Sequence, residues 1–294
     1  MGATTTGGSR QAPARRVQKR RRGWGRWLFL LLLLVLLLAG GTAATLYFTR
    51  PVTFFYRGME LEALRGVPVN TLDPAYFSTD DRGRVTYAQG DVTARTGIDV
   101  SFYQGDIDWT AVAADGIDFA FLRLGYRGYQ VGGLQMDTAY AQNLAGAKAA
   151  GLDVGVYFFS QAISVQEAEE EADYVLAALD RAELELPVVF DWEFITPGKS
   201  ARTDRMEGAL LTQCAKAFCE KLQAAGYTPM VYFNQELGYL TYDLRELTRF
   251  PFWLAEYDSR PDFYYGFSFW QYTHTGTVAG IQGSVDLDLE LRKR

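Results

Sequence analysis

The chain has 294 residues, 48% of them hydrophobic and 15% aromatic, which excludes a disordered or fibrous protein and fits one large globular domain or two small ones. Charge is unevenly placed: of 29 Lys and Arg, nine fall in residues 1–50, a stretch without a single Asp or Glu. The remaining 20 cations face all 35 acids, a net −15, and a body that acidic is no nucleic-acid partner, because phosphate contacts need clustered cations.

Residues 1–26 are rich in Gly, Thr, Ser and Arg and read as a disordered, basic cytoplasmic tail. Between Trp27 and Phe48 there is no charge, and Leu28 to Leu38 is nearly pure leucine. Twenty-two helical residues reach about 33 Å, enough for a hydrocarbon core of about 30 Å. Trp24, Trp27 and Tyr47 sit where interfacial aromatics belong, and the basic cluster precedes the span. The expectation is one N-terminal transmembrane helix, 27–48, with the N-terminus cytoplasmic and the rest outside the cell membrane. A signal peptide cut after Thr42-Ala43-Ala44 is the competing reading and leads to a secreted protein. The long basic region and the apolar Leu46-Tyr47-Phe48 beyond that point favour an uncleaved single-pass anchor.

Residues 49–95 mix apolar patches with a turn-like Thr71-Leu72-Asp73-Pro74 and read as an extracytoplasmic stalk that partly packs on the domain after it. From Thr96 to Arg294 strand and helix signals alternate. Strands are expected at 97–101, 119–124, 154–159, 187–192, 229–233, 252–257, 267–272 and 284–289. Helices are expected at 109–114, 138–150, 164–179 and 205–225, with Gly151 and Gly226 as C-terminal caps, Ser164 and Glu167 as a capping box, and Asp106 and Asp108 capping the helix at Trp109. Eight mostly parallel strands in about 200 residues predict an α/β fold closed as a (β/α) barrel. A doubly wound open sheet is the alternative, but no glycine-rich phosphate loop follows the first strand.

Cys214 and Cys219 fall five apart on a helix, about 140° around the axis and 7.5 Å along it, which is wrong for a disulfide. His274 is the one histidine; it lies in Thr273-His274-Thr275-Gly276 and reads as a loop residue. With no histidine set available, no zinc site, other metal or cofactor is expected, and a Ser-His-Asp triad is disfavoured.

The most informative stretch is Leu186-Pro187-Val188-Val189-Phe190-Asp191-Trp192-Glu193. A short apolar run after a proline reads as a buried parallel strand. Alternation puts Asp191 and Glu193 on one side, roughly 6.5 Å apart along the strand at about 3.3 Å per residue. Two carboxyls at a buried strand end are costly unless they are paired with loop arginines or do chemistry. Burial should raise one pKa, and proximity should stop both from ionising together, the layout of an acid and an anionic stabiliser at a glycosidic bond. Other strand ends carry acids too: Asp99, Glu256 with Asp258, and Asp286 with Asp288. Tyr126, Tyr157, Trp192, Tyr232, Tyr257, Trp270 and Tyr272 are interleaved with them, a composition suited to a sugar cleft.

These residues meet a known pattern. Gly97-Ile98-Asp99-Val100-Ser101-Phe102-Tyr103-Gln104-Gly105-Asp106-Ile107-Asp108-Trp109 resembles the opening motif of glycoside hydrolase family 25 lysozymes. Asp191-Trp192-Glu193 resembles that family's acidic fourth strand, and Phe269-Trp270-Gln271-Tyr272 with Gly283-Ser284-Val285-Asp286-Leu287-Asp288 its closing pair. The resemblance spans residues 96–294 and implies a flattened TIM-like barrel with irregular last strands. It implies an N-acetylmuramidase that cleaves the β-1,4 bond from N-acetylmuramic acid to N-acetylglucosamine in peptidoglycan glycan strands. Glu193 would be the general acid. Asp191 would stabilise positive charge at the sugar, acting through the substrate's own acetamido group. Asp99, Asp286, Tyr126, Tyr157, Trp192, Tyr232, Tyr257, Trp270 and Gln271 would bind substrate, with Asp286 preferred over Asp288. Many relatives carry a His-Trp or His-Tyr pair after the first serine, where this chain has Phe102-Tyr103.

Overall fold

The computed structural model describes residues 1–4, 23–48, 50–195 and 198–293. The basic run from Arg10 to Arg22 lies outside the described residues. The chain divides into two compact units, 1–63 and 64–294.

In the first unit, helix α1 (Trp24–Phe48) is long and apolar enough to cross a membrane: mean hydropathy reaches 2.5 and its window buries nothing against protein. Strands β1 (Thr53–Tyr56) and β2 (Met59–Glu62) form an antiparallel hairpin, Thr53 opposite Glu62. Its two-residue turn has Arg57 at φ 48° and Gly58 at φ 78°. Positive φ at both central positions matches the right-handed twist of the strands.

The second unit contains, in order, β3 (Phe77–Thr79), β4 (Val85–Gln89), β5 (Val92–Val100), α2 (Trp109–Ala114), β6 (Phe119–Arg127), β7 (Leu134–Met136), α3 (Tyr140–Ala149) and β8 (Asp153–Ser160). It continues with α4 (Val165–Leu179), β9 (Val188–Trp192), α5 (Gly208–Ala224), β10 (Pro229–Asn234), α6 (Gln235–Leu240), β11 (Phe252–Ala255), β12 (Phe269–Gly276) and β13 (Val285–Lys293). Strands β5-β6-β8-β9-β10-β11-β12 run parallel, and β13 closes the circuit antiparallel to both β12 and β5. The result is the expected α/β barrel of eight strands, so the open doubly wound alternative falls. The β12–β13 ladder slips twice, between Gln271 and Thr273 and between Thr273 and Gly276, giving the irregular last strands.

Strands β3, β4 and β7 lie outside the barrel circuit. Strand β4 pairs with the start of β5, Ala88 opposite Thr93, and β7 pairs with the end of β6. Within residues 77–95, β3, β4 and the first residues of β5 are therefore part of the sheet.

Inside the barrel Phe119, Phe121, Val189, Met230, Tyr232, Trp253 and Phe269 form one core cluster. Phe121 stacks on Trp253 with centroids 4.6 Å apart. Gly155 leaves room for this: a Cβ there would overlap the Phe121 ring and lie 2.8 Å from the Pro187 carbonyl. The opposite face of β9 packs under the helices, with Phe190 5.2 Å from Phe218 of α5. Cys214 and Cys219 are free thiols buried on that helix.

Helix ends follow local chemistry. Ser164 Oγ accepts the Glu167 N–H at 3.2 Å, and Asp108 Oδ1 accepts the Ala111 N–H at 3.1 Å. Asp106 does not cap α2; its carboxylate receives Gln142 Nε2 at 3.4 Å instead. Only one residue can occupy the N-cap, and Asp108 is the one adjacent to Trp109.

Candidate active site

One cleft of about 850 Å³ opens at the C-terminal ends of the parallel strands, where a barrel of this kind places function. Asp99 (β5), Arg123 and Tyr126 (β6), Tyr157 (β8), Asp191 and Glu193 (β9 and just beyond), Tyr232 (β10), Tyr257 (just beyond β11), Gln271 (β12) and Asp286 (β13) all line it. Strand β13 runs the other way, so its first residues reach the mouth. Asp286 stands directly opposite Asp99 in the β13–β5 ladder. Like charges in that position repel.

Electrostatics follow from the crowding. Burial pushes the Glu193 carboxyl up to about 7, with the Asp286 charge adding to it. Burial and then the charge of Glu193 raise Asp191 well above the usual carboxylate range, while Arg123 pulls it back. Asp286 is pushed up to about 6, by burial, with His274 opposing. Asp99 is raised by burial and then by Asp286 and Asp288. Gln271 offsets part of this by donating from Nε2 to Asp99 Oδ2 at 2.7 Å. The Gln271 carbonyl in turn accepts the Tyr232 and Tyr257 hydroxyls, each at 3.0 Å, so one amide ties three sides of the mouth together. Asp191 keeps one buried oxygen, Oδ1, without a hydrogen-bond partner.

Two of the proposed substrate contacts belong elsewhere. Trp192 and Trp270 are buried and do not line the cleft. Trp192 packs edge-on against Phe194, at 5.2 Å, and Trp270 lies against Phe77 at 5.5 Å and donates from Nε1 to the Glu256 carbonyl. Strand alternation is the reason: with Asp191, Glu193 and Gln271 facing in, their strand neighbours must face out. Glu256 also turns away. Its carboxylate accepts the backbone N–H groups of Asp262 and Phe263 and holds that loop. Asp288 is fully buried below the mouth, where Oδ1 accepts Trp253 Nε1 at 2.9 Å.

Other lining residues escaped the sequence reading: Arg123, Phe102, Tyr103, Tyr129, Lys199 and Trp253. Arg123 carried a usable signal, a lone cation in an apolar strand. Its Nε donates to Asp137 Oδ2 at 2.8 Å, and its guanidinium lies 4.8 Å from the Phe102 ring centroid and 5.3 Å from Tyr103 and from Tyr126. A bulge at Leu124 lets both Arg123 and Tyr126 face the cleft, because the β6–β8 register slips between Arg123 and Gly125. Phe102 and Tyr103 form an exposed ring pair, centroids 4.2 Å apart. His274 is on β12 rather than in a loop, its ring 4.5 Å from Tyr257. Among the described residues no group of His, Cys, Asp and Glu is placed to hold a metal ion.

Carboxyls from several strand ends, crowded around one aromatic mouth of a closed α/β barrel, define a glycosidase-type barrel. The chain belongs to glycosyl hydrolases family 25, whose model matches residues 98–281. It is 28% identical over 193 residues to the autolytic lysozyme of Clostridium acetobutylicum, covering 65% of this chain but only 54% of that protein. To lysozyme M1 of Streptomyces globisporus it is 28% identical over 238 residues, 76% of each chain. Among solved structures, the Clostridium perfringens spore cortex lytic enzyme matches with a TM-score of 0.57 at 22% identity, over 67% of each chain. A family 25 glycosyl hydrolase from Bacillus anthracis matches at 0.56 and 23%, over 67% of this chain and 88% of that one. At such identity these structures speak for the fold.

Proposed function

We propose that the chain is a peptidoglycan N-acetylmuramidase that hydrolyses the β-1,4 bond from N-acetylmuramic acid to N-acetylglucosamine, acting outside the cell in wall remodelling. The observation that carries the reading is the carboxyl pair. Asp191 and Glu193 share the cleft face of β9, and burial opposes charge on both. The pair therefore holds one negative charge most readily. Arg123 opposes the rise at Asp191 and has no such effect at Glu193; with the single charge seated on Asp191, Glu193 is the protonated partner that serves as general acid to the leaving sugar oxygen. Asp191 then orients the acetamido group of the bound sugar from the cleft wall. Asp99 and Asp286 bind substrate, the Asp286 charge adds to the rise at Glu193, and Tyr126, Tyr157, Tyr232, Tyr257 and Gln271 shape the site around the sugar. The names of the Clostridium and Streptomyces relatives, both lysozymes, support the substrate class.

The test is a digest of purified peptidoglycan by the full chain in detergent, followed by borohydride reduction and mass analysis of new reducing ends. Reduced muramic acid ends are expected, and Glu193→Gln should abolish them while leaving glycan affinity within about twofold. Asp191→Asn should slow turnover by roughly 10²–10⁴-fold, the range for loss of one positioned catalytic carboxylate. Reduced glucosamine ends would move the cut to the other bond. Binding to the sacculus with no new ends would make the chain a wall-binding module.

A further inference from the structure

Glu193 stands one residue past the end of β9, whose last ladder position pairs Trp192 with Ser160 of β8. No strand neighbour therefore holds the backbone of the residue that the proposed mechanism needs most accurately placed. Gln161 does so instead. It is fully buried, one residue past the end of β8, and its Nε2 donates to the Glu193 carbonyl at 3.2 Å and to the Ser160 carbonyl at 2.9 Å. Its Oε1 accepts the Thr203 hydroxyl at 2.7 Å. This sets the amide orientation: turning it over would aim Oε1 at two carbonyl oxygens. Both N–H donors and the oxygen of the side chain are engaged within protein and the group is fully buried, so it is a bracket and not a ligand contact.

The bracket reaches further than one bond. Thr203, also buried, belongs to the segment after Glu193, so Gln161 grips the acid's loop on both sides. Beside Thr203, the Arg202 N–H donates to the Tyr129 carbonyl at 2.9 Å and Arg202 Nη2 to Glu167 Oε1 at 2.6 Å. Arg127 donates from Nη1 to the Gly132 carbonyl and from Nε to the buried Glu171 Oε1 at 2.7 Å. The two loops that wall the cleft, around Tyr129 and around Lys199, are thereby fastened to each other next to the acid.

We propose that Gln161 is a positioning residue for Glu193: its side-chain amide adds one rung to the β8–β9 ladder and, with Thr203, fixes the height of the acid over the scissile bond. This rests on the reading of Glu193 as general acid. Rates respond steeply to such placement, a displacement of about 1 Å costing on the order of 10²-fold.

Gln161→Met keeps volume and removes both donors and the acceptor. The expected result, on soluble glycan fragments with the full chain, is a 10- to 100-fold fall in kcat with KM within about twofold. The alkaline limb of the kcat profile should move to lower pH, because a loosened Glu193 meets water. Thr203→Val should change kcat and the limb in the same direction by less, and Thr203→Ser should restore both. If Gln161→Met does not fold, the Thr203 pair carries the same test. An unchanged kcat and pH limb, or a lower melting temperature with the limb unmoved, would overturn the proposal and leave Gln161 a structural residue. Glu193→Gln run in parallel separates the two readings: if it stays active the acid assignment fails, whereas a dead Glu193→Gln beside a normal Gln161→Met sinks only the bracket.

Discussion

At Glu193 the protein keeps a carboxyl whose charged form it disfavours, since the group rises from an ordinary 4.5 to about 7. The folded state binds that proton more tightly than the unfolded chain. The associated stability is fully present below about pH 4.5 and is lost as pH rises through about 7. Glu193→Gln removes the buried charge, so the variant should be more stable than wild type at pH 8, by on the order of 1–3 kcal/mol, since each pH unit between the two pKa values is worth about 1.4 kcal/mol. The difference should shrink towards pH 5. Calorimetric melts across that range check it, and an equal melting temperature at pH 8 would mean that Glu193 is well solvated. Activity should fall over the same window, because the acid must hold its proton. The acid pair is legible in the sequence because it needs only strand alternation. The same alternation applied strictly would have removed Trp192 and Trp270 from the substrate contacts and brought in Arg123.

Among the elements, β8 shows how tightly packing limits sequence. Gly155 faces the Phe121 ring across the β6–β8 ladder. Gly155→Ala should cost about 1–3 kcal/mol, as overpacking does, because Phe121 is held by its stack on Trp253 and the Pro187 carbonyl cannot retreat within a sheet. Urea melts measure this; a neutral substitution would show that the ring can turn aside. Each of the eight barrel strands was legible, most as short apolar runs and β13 by its alternation, although β5, β12 and β13 extend beyond the expected bounds. Strands β3, β4 and β7 were not: at three to five residues they carry little pattern of their own, and β4 and β7 form on the edge of a barrel strand while β3 forms on β4.

Helix α1 bears on where the protein acts. Its length, hydropathy and lack of burial make it a candidate membrane span, and a signal sequence meets the same description. As an anchor it would hold the acidic body at the outer face, beside its polymeric substrate and at a high effective concentration. The expectation is that the protein sediments with membranes, resists salt and carbonate extraction, and keeps its own N-terminus on sequencing. Release into the medium with a new N-terminus near Thr45 would establish the cleaved form.

The eight barrel strands, helices α1 to α5, the acid pair and the family could be read from the amino-acid sequence, because they rest on local periodicity and contiguous motifs. Tertiary structure decided what those cannot encode. Asp286 reaches the mouth only because β13 enters the barrel antiparallel, and Asp288, two residues on, is thereby buried. Glu256 leaves the cleft because a neighbouring loop offers it two backbone N–H groups. Gln161 reaches Glu193 across 32 residues of chain because β8 and β9 are adjacent and end in step. Each is a contact between segments distant in sequence, and closing a barrel is what brings them together.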